Sequence, residues 1–181
     1  LYPDLHIRVV PGLSPDLLEQ IEQGSLDAAV ISEPASLHDN LNWMLFFEER
    51  LVLLTAPEVT ETDPLKILET MPYIRHTRRA STSVIGEKWL ARNKIRVNGA
   101  MEMGSLENLT SMVAHNLGVA VVPDICVPDP IFSRLNRISL GEGAPSRILG
   151  LVTRADCSKF LLVQALADQI DIVIEDHKAD G

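Results

Sequence analysis

Leu51-Val52-Leu53-Leu54-Thr55 is an apolar run stopped by Ala56-Pro57, and a second run, Ile148-Leu149-Gly150-Leu151-Val152-Thr153, answers it roughly ninety residues later. Short, nearly continuous apolar segments bounded by turn residues read as buried strands. The block between them carries its own alternation of strand and helix signals. A chain that crosses twice between two lobes needs this bracketing, with a hinge at each crossing, here near 53–56 and 148–153. Lobe I is then expected to comprise 1–52 and 150–181, and lobe II 57–147. The cleft between two such lobes is the default ligand site.

Outward from the first run, Leu5-His6-Ile7-Arg8-Val9-Val10 alternates apolar and polar, as a strand with one covered face does. Pro11-Gly12-Leu13-Ser14-Pro15 is a turn in which Ser14 suits an N-cap and Pro15 the first helical position. Leu17, Leu18 and Ile21 line one helical face, and Gly24 stands where a C-cap glycine belongs. Leu26-Asp27-Ala28-Ala29-Val30-Ile31 is the kind of run that a parallel sheet covered on both faces contains, so the opening reads as βαβ.

Inside the middle block a short helix follows Asp63-Pro64, and Pro72-Tyr73-Ile74 opens a strand. Ser81-Thr82-Ser83 offers N-caps for a helix carrying Ile85, Trp89 and Leu90. Residues 95–103 read as extended. Ser105 caps a helix whose Leu106, Leu109, Val113 and Leu117 share a face before Gly118, and Pro123 stops a buried strand over 119–122. Ser158 begins a last helix with Val163, Leu166, Ala167, Ile170, Val173 and Ile174 on one side. The class is α/β.

The 181 residues are 46% apolar and 23% charged, with mean hydropathy +0.11, enough to bury a sizeable core. A net charge of -9 argues against this chain itself gripping a phosphate backbone. No apolar run approaches the ~20 residues that span a bilayer. Leu1-Tyr2-Pro3-Asp4 does not start a charged region followed by an apolar one, so no membrane association is expected. Cys126 and Cys157 lack metal or redox spacing and read as reduced, packed thiols of a cytoplasmic protein. There is no GxSxG, Walker-type, HExxH or GxGxxG motif, and the five histidines are dispersed. Glu48-Glu49 and Glu58, Glu61 and Asp63 read as solvated charge, and His115 as a helix C-terminal residue with a structural role. No catalytic residue, metal or cofactor is expected.

Several stretches in their order carry a family resemblance: Tyr2-Pro3-Asp4-Leu5, Gly12-Leu13-Ser14, Gly24-Ser25-Leu26-Asp27-Ala28-Ala29-Val30, and Phe47-Glu48-Glu49-Arg50-Leu51-Val52-Leu53-Leu54. Pro72-Tyr73-Ile74 and Ser105-Leu106-Glu107-Asn108-Leu109 continue it, and Met112-Val113-Ala114-His115-Asn116-Leu117-Gly118-Val119-Ala120-Val121-Val122-Pro123 is its sharpest part. Together they resemble the effector-binding domain of LysR-type transcriptional regulators. The resemblance implies a two-lobed fold like type 2 periplasmic binding proteins, a small-molecule effector, and a homodimer or homotetramer. It also implies that the family's first strand and helix and its helix-turn-helix domain precede Tyr2, so that DNA is met only through that absent part. A solute-binding protein of a transport system has the same fold and is the rival reading. In the family context Asp27 is expected to be a structural hydrogen-bonding group.

Charge sharpens the site. Residues 73–99 carry +6 while the remainder carries -15. Free backbone N–H groups at a helix start favour an anion, and arginine adds a bidentate partner for carboxylate. A small organic anion is therefore expected, held by Arg75, His76 and Thr77 together with Ser81 or Thr82, whereas Lys88, Arg92 and Lys94 suit a solvated face. From lobe I, Leu13, Ser14, Ser32 and Glu33 should meet the same cleft at strand ends. Glu33 there would suit a ligand that also carries an amine or hydroxyl. Ser105 is expected first as a cap and then as a pocket residue, and Pro123 and Asp124 match the family's cleft-lining strand end.

Overall fold

The computed structural model of the chain describes residues 6–124 and 132–179. Helix α1 (Ser14–Glu22) leads into β1 (Ala28–Ser32) and the long β2 (Leu41–Thr55). Then follow α2 (Pro64–Thr70), β3 (Pro72–His76), α3 (Ser81–Arg92), β4 (Asn98–Met103), α4 (Leu106–Ala114) and β5 (Ala120–Pro123). The chain closes with β6 (Asn136–Ser139), β7 (Ser146–Arg154) and α5 (Phe160–Ala179).

Strand β2 belongs to both lobes. Its residues 41–50 pair antiparallel with β7, across a bulge between Leu45 and Phe47. From Leu51 onward it pairs with β5 and β6 instead. Lobe I is thus built on the order β1-β7-β2. Lobe II continues from the second half of β2 through β5 to β3, which meets it at the parallel bridge Tyr73–Val119, and on to β4, with β6 on the other flank of β2. The pairing changes partner at Arg50–Leu51, two residues before the expected 53–56, and the β2–β7 ladder ends at Ser146, two before the expected 148–153.

The unbroken run in β2 has its reason in packing. Successive side chains of a strand point to opposite faces. Leu51 and Leu53 enter one core with Ile67, Leu68, Tyr73, Trp89 and Leu90, while Val52 and Leu54 enter another with Ile74, Leu109 and Val113. Both faces are covered, by α2 and α3 on one side and α4 on the other, so neither face tolerates polar residues. In lobe I, Leu17 and Ile21 of α1 pack on Ala29, Ile31, Leu41 and Val152. Val163 and Ala167 of α5 pack on the other face against Leu151.

Two glycines are required where they stand. Gly24 has φ +73° and ends α1, with Gly24 N–H donating to Ile21 O and Ser25 N–H to Gln20 O. A Cβ on Gly118 would lie 2.4 Å from Pro72 O, where β3 runs against the start of β5.

The expected strand over 5–10 does not form: residues 6–10 are irregular, Ile7 and Val9 are largely exposed, and Leu5 lies outside the described residues. Alternation supplies one apolar face, but a strand also needs a partner for its backbone groups. The expected parallel sheet around β1 is antiparallel. An apolar run reports coverage by neighbouring layers and says nothing of strand direction. Leu117 lies past the end of α4 and is exposed, because the helix stops at Ala114 with His115 as its C-cap and Asn116 at φ +54°. The final helix begins at Phe160, two residues beyond Ser158, and Leu166 and Val173 are exposed. Cys126 lies outside the described residues; Cys157 packs beside Leu151 and Val163.

Candidate functional site

Three helices begin at the junction of the lobes. Helix α1 starts there from lobe I, and α3 and α4 from lobe II. Gly12, Leu13 and Ser14 from the first, His76, Ala80, Ser81, Thr82, Leu106 and Pro123 from the second, and Arg147 on the crossing strand β7 enclose a cavity of about 150 Å³. Four of the ten expected contacts line it: Leu13, Ser14, His76 and Pro123. So do Ser81 and Thr82.

Ser14 is not the N-cap. That position is Leu13, which makes no side-chain cap, and Ser14 opens the helix instead. Its Oγ accepts from the backbone N–H of Ser32 at 3.1 Å. Ser32 in turn shares a hydrogen bond of 2.6 Å between its hydroxyl and that of Ser81. A chain of three serines thus joins α1, the end of β1 and the start of α3 across the cleft. The cap of α3 is Ala80, again without a side-chain partner, so Ser81 is left for this bridge while Ser83 Oγ donates to His76 O at 2.7 Å. Arg79 pairs with Asp16 across the same gap. Ordinarily the first N–H groups of a helix are met by a cap. At α1 and α3 no side chain caps them, and both helix starts border the cavity.

The remaining expected contacts are engaged elsewhere. Arg75 turns its guanidinium to Glu87 of α3 at 2.8 Å, with only 15% of its side chain exposed, and does not line the cavity. It was expected to hold the effector because it ends a buried strand, but its partner here is a carboxylate on the neighbouring helix. Glu33 is exposed and joins the sheet through its backbone N–H to Ile148 O. Asp124 pairs with Arg137 at 3.2 Å. Ser105 caps α4 by accepting from Asn108 N–H at 3.2 Å. Its hydroxyl, after the backbone N–H of Glu107 itself, holds the Glu107 carboxyl below the usual carboxylate range. Thr77 accepts from Ala80 N–H in the turn before α3 and lies outside the lining.

The cavity does contain an arginine. Arg147 Nε donates to Glu49 Oε2 at 2.5 Å, and the two residues are register partners on β7 and β2. Glu49 is 4% exposed, so the reading of Glu48-Glu49 as solvated charge is corrected for Glu49. Alternation along β2 held the signal: Glu49 has the same parity as Leu51 and Leu53 and points into covered space. Among the described residues, no group of three or more His, Cys, Asp or Glu side chains comes together as metal ligands.

The pattern described as the LysR substrate binding domain matches residues 1–172. This chain belongs to that family. It is an effector-binding domain of the LysR type, and the two-lobed, type 2 periplasmic-binding-like fold is borne out by solved structures. A cysteine mutant of OxyR from Corynebacterium glutamicum has a TM-score of 0.78 at 21% identity, covering 98% of this chain and 57% of that one. The effector-binding domain of QuiR, solved in complex with shikimate, has a TM-score of 0.68 at 13% identity over 80% of this chain and 70% of that one. Among curated relatives, the HTH-type transcriptional regulator CzcR of Bacillus subtilis is 29% identical over 70% of this chain and 42% of its own length. The HTH-type regulator IlvY of Escherichia coli is 28% identical over 74% and 48%. The LysR domain described here spans about half the length of the curated relatives it matches. No helix among the described residues is long and apolar enough to cross a membrane.

Proposed function

We propose that this LysR domain senses a small organic anion in the cavity between its lobes and thereby controls DNA binding by a longer regulator that contains it. The observation that carries the reading is the position of the cavity: residues of both lobes line it, together with Arg147 on a strand that joins them. A ligand there contacts α1, α3 and Arg147 at once, so its affinity depends on how the lobes are set. It can shift that setting only by binding one arrangement more tightly than another. Anionic character is supported by the bordering helix starts and by Arg147. DNA is met through the other part of the longer protein, which acts in the cytoplasm as a homodimer or homotetramer, and the chain performs no catalysis. Relatives that are HTH-type regulators support this over a transport role.

The test is a thermal-shift screen of the domain against mono- and dicarboxylates, aromatic acids, amino acids and sugar phosphates, repeated with Ser81→Ala. A stabilising acid whose effect falls in the variant places the ligand in the cleft. In the longer protein the same acid should change operator affinity in a gel-shift titration; unchanged DNA binding with the acid bound defeats the regulatory reading.

A further inference from the structure

Resting on that cleft reading, we infer that Arg147 is the anchor for a single carboxylate of the effector and that Glu49 is its positioning residue. A guanidinium presents five N–H donors in a planar fork. Among the described residues, the Arg147 guanidinium spends only Nε, on Glu49. The two terminal nitrogens are left on a side chain that is 21% exposed and lines the cavity. Those two nitrogens form the edge that receives a carboxylate bidentately. The other nearby arginines, Arg75 and Arg79, pair with Glu87 and Asp16 and do not line the cavity.

Glu49 fixes the fork in two ways. It stands directly opposite Arg147 in the antiparallel register, so the two side chains share a face of the β2–β7 ribbon. Its burial leaves the short hydrogen bond as the carboxylate's partner, which holds the guanidinium plane. The pair also sets the charge the site accepts. Glu49 and Arg147 sum to zero, so a monoanion leaves one net negative charge beside the starts of α1 and α3, and a dianion would leave two. At about 150 Å³ the cavity is smaller than the ~300–1,000 Å³ typical of drug-sized sites, which fits a compact acid. Because anchor and positioning residue stand on the two strands that join the lobes, the carboxylate is bound at the joint itself.

The experiment is isothermal titration of the domain with propionate, lactate and malonate, and with propionamide and lactamide as uncharged counterparts. The monoacids bind, malonate binds more weakly, and the amides do not bind. Arg147→Gln lowers monoacid affinity about tenfold or more. Since that variant leaves Glu49 without its counterion, the double variant Glu49→Gln/Arg147→Gln is measured beside it and shows the same loss. Glu49→Gln alone keeps the hydrogen-bond geometry but removes the neutralising charge. Its monoacid affinity rises, and bound acid raises its Tm by more than in the parent domain, a change that a merely structural Glu49 would not produce. The anchor is overturned if both Arg147 variants bind the acids as tightly as the parent, if the amides match the acids, or if no acid binds. The cleft reading is judged separately: binding weakened by Ser81→Ala but not by loss of Arg147 leaves the cleft standing without this anchor, whereas binding that responds to neither residue removes both.

Discussion

The two lobes use the same alternation of strands and helices but hold their cores to different depths. Of the twelve largest fully buried side chains among the described residues, ten belong to lobe II and only Ile21 and Ile31 to lobe I. Nine of the twelve exposed large apolar side chains lie in lobe I or its helix α5, among them Leu161 at 81%. The difference follows from sheet width. Lobe II packs helices on both faces of a sheet five strands wide, whereas β1 and β7 with half of β2 give lobe I a narrower platform. Lobe II is therefore expected to be the more rigid partner and lobe I the one that opens more readily, because regions with few buried apolar contacts open at lower free energy.

The strongest way to break this contrast is to remove the same atoms from each lobe. Leu54→Ala in lobe II should cost about 3 kcal/mol or more, and Leu17→Ala in lobe I about 2 kcal/mol, since Leu17 is buried less completely, at 8% exposure against 0%, in a smaller cluster that can collapse. Denaturant unfolding measures both, and equal costs would contradict the difference in depth. Amide exchange on the same samples should be slowest in β5 and the second half of β2, and faster in β1.

Alkali should act through lobe II. Burial, followed by the Glu87 charge, raises the Tyr73 phenol to about 12, with Arg75 opposing. A folded pKa above the unfolded value of ~10 means that the native state holds the proton more tightly, so this stability is complete below pH ~10 and is lost between there and ~12. The loss is on the order of 2 kcal/mol, and Tyr73→Phe should flatten that limb of a stability-against-pH profile. A profile that falls equally in both proteins would assign the alkaline loss to other groups.

Contacts between the lobes should matter less. Ser81→Ala removes the bridge to Ser32 and should cost about 1 kcal/mol, with faster exchange in β1 and little change in β5. Protection lost equally in both lobes would deny that the bridge is a contact between separate units. Smallest is Asp16→Asn: an exposed pair with Arg79 is worth ~0.2–1 kcal/mol and fades with salt. Its stability difference from the parent should vanish in high-salt melts.

Lobe II was the more legible half. Its apolar runs are covered on both faces, so burial is written into every residue of 51–55 and 119–122, and Asp63 and Ser105 cap the helices that follow them. Residues 41–50 carry mixed polarity because that half of β2 is less deeply covered, and its membership in the same strand was not evident. At the site, Leu13, Ser14, His76, Ser81, Thr82 and Pro123 could be placed from strand ends and helix starts. Arg147 was not among the expected contacts, and its place in the chain does not separate it from Arg75. Each follows an apolar or turn segment, and the deciding facts are a carboxylate one helix away for Arg75 and one strand away for Arg147. Pairing across strands, which local pattern does not encode, brings Glu49 and Arg147 together.

The sharing of β2 also orders events during synthesis. Lobe II is contiguous from Leu51 to Leu140, so its sheet and both cores can close on residues already made. Strand β1 has to wait for β7, its partner more than a hundred residues later, and that long loop closure is entropically slow. Lobe I is therefore completed last, on a strand whose far end is already held in place, although its β1 precedes all of lobe II in the chain.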